Sequence, residues 1–140
     1  MADANSSGDA GVGDPAPLTS EAEAVQELRV DVRPSDAGLA IVGVSGELDM
    51  LTAPQLAQRL REPLDTSAGV VLDLGGVGFL GSAGLAVLAD AQRRAAKRDV
   101  PFALVAHSHA VLRPLEVTAL DQALTVYPDL DTALANLKQA

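Results

Sequence analysis

The chain of 140 residues carries 19 acidic against ten basic side chains, a formal charge of −9, with no cysteine, no tryptophan, two phenylalanines and one tyrosine. One domain with one modest core fits that length, and Leu, Val and Ala must fill its interior. The acidic balance disfavours nucleic acid as a direct partner, the lack of cysteine excludes a disulfide framework or thiol switch, and with neither a bilayer-length apolar run nor a basic, apolar leader, a cytoplasmic protein without membrane insertion is expected.

Residues 1–26 are rich in Ala, Gly, Ser, Asp and Pro, and hold five of the acids and no Lys or Arg, which predicts a disordered acidic arm. The remainder, residues 27–140, is near −4 and reads as the folded domain. Residues 28–33 alternate strictly between apolar and polar. Residues 39–44 are apolar and follow the turn residues Pro34 to Gly38, so the pair predicts a β-hairpin whose second strand is central.

Gly46-Glu47-Leu48-Asp49 then leads into Thr52-Ala53-Pro54-Gln55, a capping box with a proline tolerated in the first turn. The helix that follows is expected to bury Ala53, Leu56, Ala57, Leu60 and Leu64. Glu47 and Asp49 stand two residues apart at a strand end, an arrangement that suits general acid and base chemistry. With no His, Cys or aromatic lining nearby, a solvated loop is the simpler reading.

Residues 70–74 are apolar, β-branched and bounded by glycines, the pattern of a strand covered on both faces. From Ser82 the period becomes helical. Leu85, Leu88, Ala91 and Ala95 recur on one stripe, while Arg93, Arg94, Lys97 and Arg98 gather at the C-terminal end, where the helix dipole favours cations. The turn between strand and helix is predicted over residues 78–84, with Ser82 as the N-cap, its hydroxyl at a helix mouth.

Residues 101–106 form the next buried strand, and the strand, helix, strand order implies a parallel crossover and a mixed sheet. His107 and His109 lack a nearby Cys or carboxylate and make a poor metal site, so no metal is predicted and Ser108 is assigned as a helix cap. Val111, Leu112 and Leu115 give the next helix an apolar face, and Pro114 predicts that it is short or bent. Val126 and Tyr127 suit a last edge strand. Asp129 or Asp131 then caps a final helix burying Leu130, Ala133, Leu134 and Leu137.

Three functions suit a serine in such a turn. Gly76 to Gly81 matches G-x-G-x-x-G between strand and helix, but the next strand ends in His107-Ser108 where a dinucleotide fold needs an acid. A hydrolase elbow needs G-x-S-x-G, and Leu80 occupies the first glycine position. The third function is a regulatory serine, against an ordinary cap worth about 1 kcal/mol.

The regulatory reading draws on three segments in order. These are VVLDLGGVGFLGSAGLAVL over residues 70–88, Val44 to Asp49 with Thr52-Ala53, and residues 111–120. They resemble the signature strand and helix, the Gly-Glu-Leu-Asp segment, and the late helix and turn of STAS domains, specifically the bacterial anti-sigma factor antagonists. The resemblance covers nearly everything from Glu27 onward. It implies an α/β, STAS-like single domain, with a mixed β-sheet of about four to five strands and about four helices packed against it. It also implies a binding protein, not an enzyme, with no cofactor. Its partner would be an anti-sigma factor kinase, whose sigma factor it releases and which phosphorylates Ser82 to end the binding. The implied partner surface comprises Glu47, Asp49, Leu80, Gly81, Ser82, Ala83, Gly84 and Leu85. Gly81 departs from the family pattern, which has an aspartate there. STAS-like domains also serve as subunits of transport complexes or as stress-sensing scaffolds, an alternative role without phosphorylation.

Overall fold

Five strands lie side by side in one mixed sheet, in the order in which they occur in the chain. A computed structural model describes residues 28–139; the expected acidic arm, residues 1–26, lies outside the described residues. β1 (Arg29–Pro34) runs antiparallel to β2 (Leu39–Leu48), and β2, β3 (Gly69–Leu80), β4 (Phe102–Val105) and β5 (Thr125–Tyr127) are mutually parallel. The helices are α1 (Ala53–Thr66), α2 (Ser82–Arg98), α3 (His109–Val117), the short α4 (Leu120–Ala123) and α5 (Leu130–Lys138). This is the α/β single domain with a mixed sheet that the sequence pattern predicts.

Successive strand residues face opposite sides, so the nearly continuous apolar runs of β2, β3 and β4 feed two cores. Val42, Val44, Val70, Leu72, Leu74 and Leu104 pack with Leu56, Leu60 and Leu64 of α1, Leu88 and Ala91 of α2, and Val111 and Leu115 of α3. On the other side Leu39, Val71, Ala103 and Val105 are covered by Ala133 and Leu137 of α5. Phe102 is an aromatic side chain of the first core, and Leu, Val and Ala supply the rest, as the composition requires. Each fully buried Leu or Val contributes roughly 1.5–3 kcal/mol by leaving water. Ala57, Leu130 and Leu134, expected inside, are half-buried.

β3 corrects the sequence reading, which ends the strand at Leu74 and makes residues 78–84 a turn. The strand continues to Leu80 because it carries two bulges. Gly43 pairs with Asp73 but Ser45 with Gly76, and Gly46 pairs with Val77 but Glu47 with Phe79, so β3 inserts an extra residue at each step. Each insertion reverses the alternation, and Leu74, Val77 and Leu80 all return to the interior although they are three residues apart. At the first bulge a Cβ on Gly76 would stand 2.7 Å from the Ser45 Cβ, a separation only glycine permits. The G-x-G-x-x-G run is therefore bulged strand, not a phosphate cradle.

The cations closing α2 also fasten it to α1. Arg94 donates to Asp65 at 3.1 Å, and Arg98 donates to the carbonyls of Leu64 and Ser67 at the end of α1. Asp99, in the left-handed region at φ 59°, ends α2 by donating its N–H to the Ala95 and Ala96 carbonyls. Three further expectations meet the structure differently. Pro114 sits in a helix of nine residues, short as predicted. Ser108 occupies the N-cap position of α3, but its hydroxyl makes no capping bond. Asp129 caps α5 by accepting the Thr132 N–H at 2.8 Å.

Candidate docking site at the start of α2

The last residues of β3 deliver the chain straight into α2. Gly81 donates its N–H to the Leu48 carbonyl at 2.9 Å, and its own carbonyl receives the first helical bond, from Leu85 N–H at 3.0 Å. The N-cap is thus Gly81 (φ −94°, ψ −177°), and Ser82, expected as the cap, is the first helical residue. Its side chain is exposed, and no side-chain bond caps the helix. The N–H groups of Ser82, Ala83 and Gly84 precede that first helical bond, so the serine stands at the positive end of a 17-residue helix.

Beside it lies the loop from Glu47 to Thr52, fixed by a division of labour that the expected capping box does not describe. Thr52, 2% exposed, donates its hydroxyl to the Glu47 carbonyl at 2.6 Å and accepts the Asp49 N–H at 3.0 Å. Asp49 braces the loop just ahead of α1, whose first turn has no side-chain cap. Its Oδ1 accepts the N–H groups of Leu51 at 2.9 Å and Thr52 at 3.0 Å. The Thr52 N–H bond, with a further bond from the Leu51 N–H, outweighs desolvation and holds the Asp49 carboxyl below its ordinary range. Asp49 is therefore committed to its own loop, while Glu47 is exposed.

Two residues expected on the partner surface are interior. Leu80 is 4% exposed, and Gly84 is buried where a Cβ would meet Leu80 Cδ1 at 2.7 Å and Leu48 Cβ at 3.0 Å. Gly84 thus allows α2 to approach its own sheet, not a partner. Gly81, Ala83 and Leu85 are half-buried at the rim. The sequence reading missed three exposed apolar side chains at this end: Met50 (79%), Leu51 (64%) and Phe79 (49%). Met50-Leu51 in a polar loop was a visible signal, whereas Phe79 faces outward only because of the second bulge. His107 and His109 are exposed, and His107 lines a groove of about 610 Å³ with Arg29, Asp31, Ser45 and Asp73, which shares no residue with the Ser82 turn.

These features define a small α/β module organised around one exposed serine turn, and no helix among the described residues is long and apolar enough to cross a membrane. Residues 27–133 match the STAS domain, and the chain belongs to that family. It is similar to RsfB, the anti-sigma-F factor antagonist of Mycobacterium tuberculosis, with 32% identity over 102 residues, covering 72% of this chain and 83% of that protein. The anti-sigma-B factor antagonist of Listeria monocytogenes is 28% identical over 101 residues, covering 71% and 88%. The crystal structure of an anti-sigma factor antagonist from Mycobacterium paratuberculosis matches with a TM-score of 0.76 at 39% identity, covering 80% of this chain and 95% of that one.

Proposed function

We propose that this chain is an anti-sigma factor antagonist acting in the cytoplasm. It binds an anti-sigma factor and frees the sigma factor for transcription, and that anti-sigma factor, a serine kinase, ends the binding by phosphorylating Ser82. The observation that carries this reading is Ser82 itself, exposed as the first residue of α2 with its side chain unspent on capping. The similarity to RsfB supports the partner class. The role needs binding and no catalytic group of the chain's own.

In the phosphorylation step the bond from Ser82 Oγ to the γ-phosphorus of ATP forms as the bond to ADP breaks, and the hydroxyl proton passes to the kinase. The product carries about −1.5 to −2 charge. At a helix N-terminus that charge is well tolerated, so the domain stays folded. The complex bears the cost, because a dianion pressed against a surface shaped for a hydroxyl must be desolvated, and each ~1.4 kcal/mol lost is tenfold in affinity.

Ser82→Ala should retain binding to the anti-sigma factor, while Ser82→Glu should weaken it at least about tenfold. Equal affinities would sink the switch. Mass spectrometry after incubation with the kinase and Mg-ATP should find one phosphate, on Ser82. A pull-down with the Ser82→Ala protein should recover a histidine-kinase-like ATPase; recovery of a transporter complex instead would refute the antagonist role.

A further inference from the structure

The surface around Ser82 is furnished with apolar side chains. Of the large apolar residues exposed in the described chain, Met50, Leu51 and Phe79 stand at this one end of the sheet. Met50 and Leu51 follow Leu48, whose carbonyl holds the Gly81 N–H, and Phe79 is paired in register with Glu47 one residue before. Phe79 also lies against Gly81: a Cβ at position 81 would meet its Cε2 at 3.0 Å and its Cζ at 3.3 Å. The bare backbone of Gly81 therefore gives the ring its place, directly beside the residue that precedes Ser82. A side chain at 81 would push the ring from this position by a few tenths of an ångström. Of the loop's two acids, Asp49 is engaged with its own backbone, which leaves Glu47 as the free carboxylate there.

We infer that Phe79, supported by Met50 and Leu51, is the apolar anchor of the docking surface, and that Gly81 determines specificity by making room for the ring. The inference rests on the proposed binding of an anti-sigma factor and specifies that partner's chemistry: an apolar cleft in place of a cationic site that would grip a carboxylate at position 81. The occupant follows from continuity, since the ring and Ser82 flank the same backbone residue and no partner can cover one without approaching the other. A half-exposed aromatic that becomes fully covered is the kind of group that dominates interface energetics. The same placement sharpens the switch, because a phosphate on Ser82 would face a cleft with little means of solvating it.

The test uses the anti-sigma factor recovered with the Ser82→Ala protein, purified and titrated against each variant at about 0.05 M and 0.5 M NaCl. Phe79→Ala should weaken binding at least about tenfold, and the paired change Met50→Ser with Leu51→Ser should weaken it as well. Binding of the unaltered chain should change less than about threefold between the two salt concentrations, since apolar contacts are not screened. Gly81→Asp should also weaken binding, and adding Phe79→Ala to it should cost little more, because both changes remove the same contact. All four positions lie at the surface or rim, and an unchanged melting temperature confirms that the variants fold. Full affinity in Phe79→Ala, or binding that salt weakens more than about tenfold, would overturn the anchor and leave the antagonist role standing. Failure to recover any anti-sigma factor would overturn the antagonist role and the anchor with it.

Discussion

Replacing Gly84 by Ala sets two effects of opposite sign against each other. In a helix, Ala is favoured over Gly by about 1 kcal/mol, so propensity alone predicts a more stable protein. The added methyl would stand 2.7 Å from Leu80 Cδ1, 3.0 Å from Leu48 Cβ and 3.4 Å from the Leu48 carbonyl oxygen. Leu80 is 4% and Leu48 0% exposed, so neither has free space to enter, and the Leu48 carbonyl is held by the Gly81 N–H. Overpacking of this kind costs about 1–3 kcal/mol, and with two neighbours blocked the upper half of that range applies, about 2–3 kcal/mol. The net expectation is a loss of about 1–2 kcal/mol, a fall of about 4–8 °C in Tm for a domain of this size. Thermal and urea unfolding followed by circular dichroism at neutral pH measure it. A rise in Tm would refute the close packing of α2 on the ends of β2 and β3, and with it the fixed position of Ser82.

Three more measurements examine the same region. Thr52→Val keeps the shape of the side chain but strands the Glu47 carbonyl and the Asp49 N–H, and should cost about 1–3 kcal/mol in urea unfolding. Because bonding in the folded state lowers the Asp49 pKa, its stabilising effect is complete above the unfolded value near 3.8 and fades as pH falls through the lower folded value. The Tm gap between the unaltered chain and Asp49→Asn should therefore be present at neutral pH and shrink at more acid pH; a gap that grows on acidification contradicts the assignment. Ser82→Ala should leave Tm almost unchanged, since Ser82 caps nothing, whereas loss of a working cap would cost about 1 kcal/mol.

Where residue pattern and structure coincide, one local interaction governs. Strict alternation announced β1, the stripe through Leu88, Ala91 and Ala95 announced α2, and Asp129 capped the last helix as an acid before an apolar run should. Where they part, a contact from elsewhere in the chain decides. The glycines after Leu74 resemble a turn until they are paired with β2, which absorbs them as bulges. Thr52 occupies the cap position, but its buried hydroxyl is spent on the Glu47 carbonyl and caps nothing. Leu80 and Gly84 adjoin Ser82 in a motif, yet one is a strand residue on the core side and the other lies on the inner face of α2. Family resemblance places the serine, but sequence neighbours are not surface neighbours, and Phe79 became visible as an exposed group only once the second bulge was known.

The simple strand order has a consequence for how such a chain is made. Because β1 to β5 lie in the sheet in the order of synthesis, each strand leaving the ribosome finds its neighbour already present, and none must wait for a later segment or insert between two earlier ones. The turn bearing Ser82 leans on Leu48 of β2, which is synthesised earlier, and α2 is tied back to α1 through Arg94 and Arg98. The supports of the Ser82 turn are thus in place before β4, β5 and α5 have been translated.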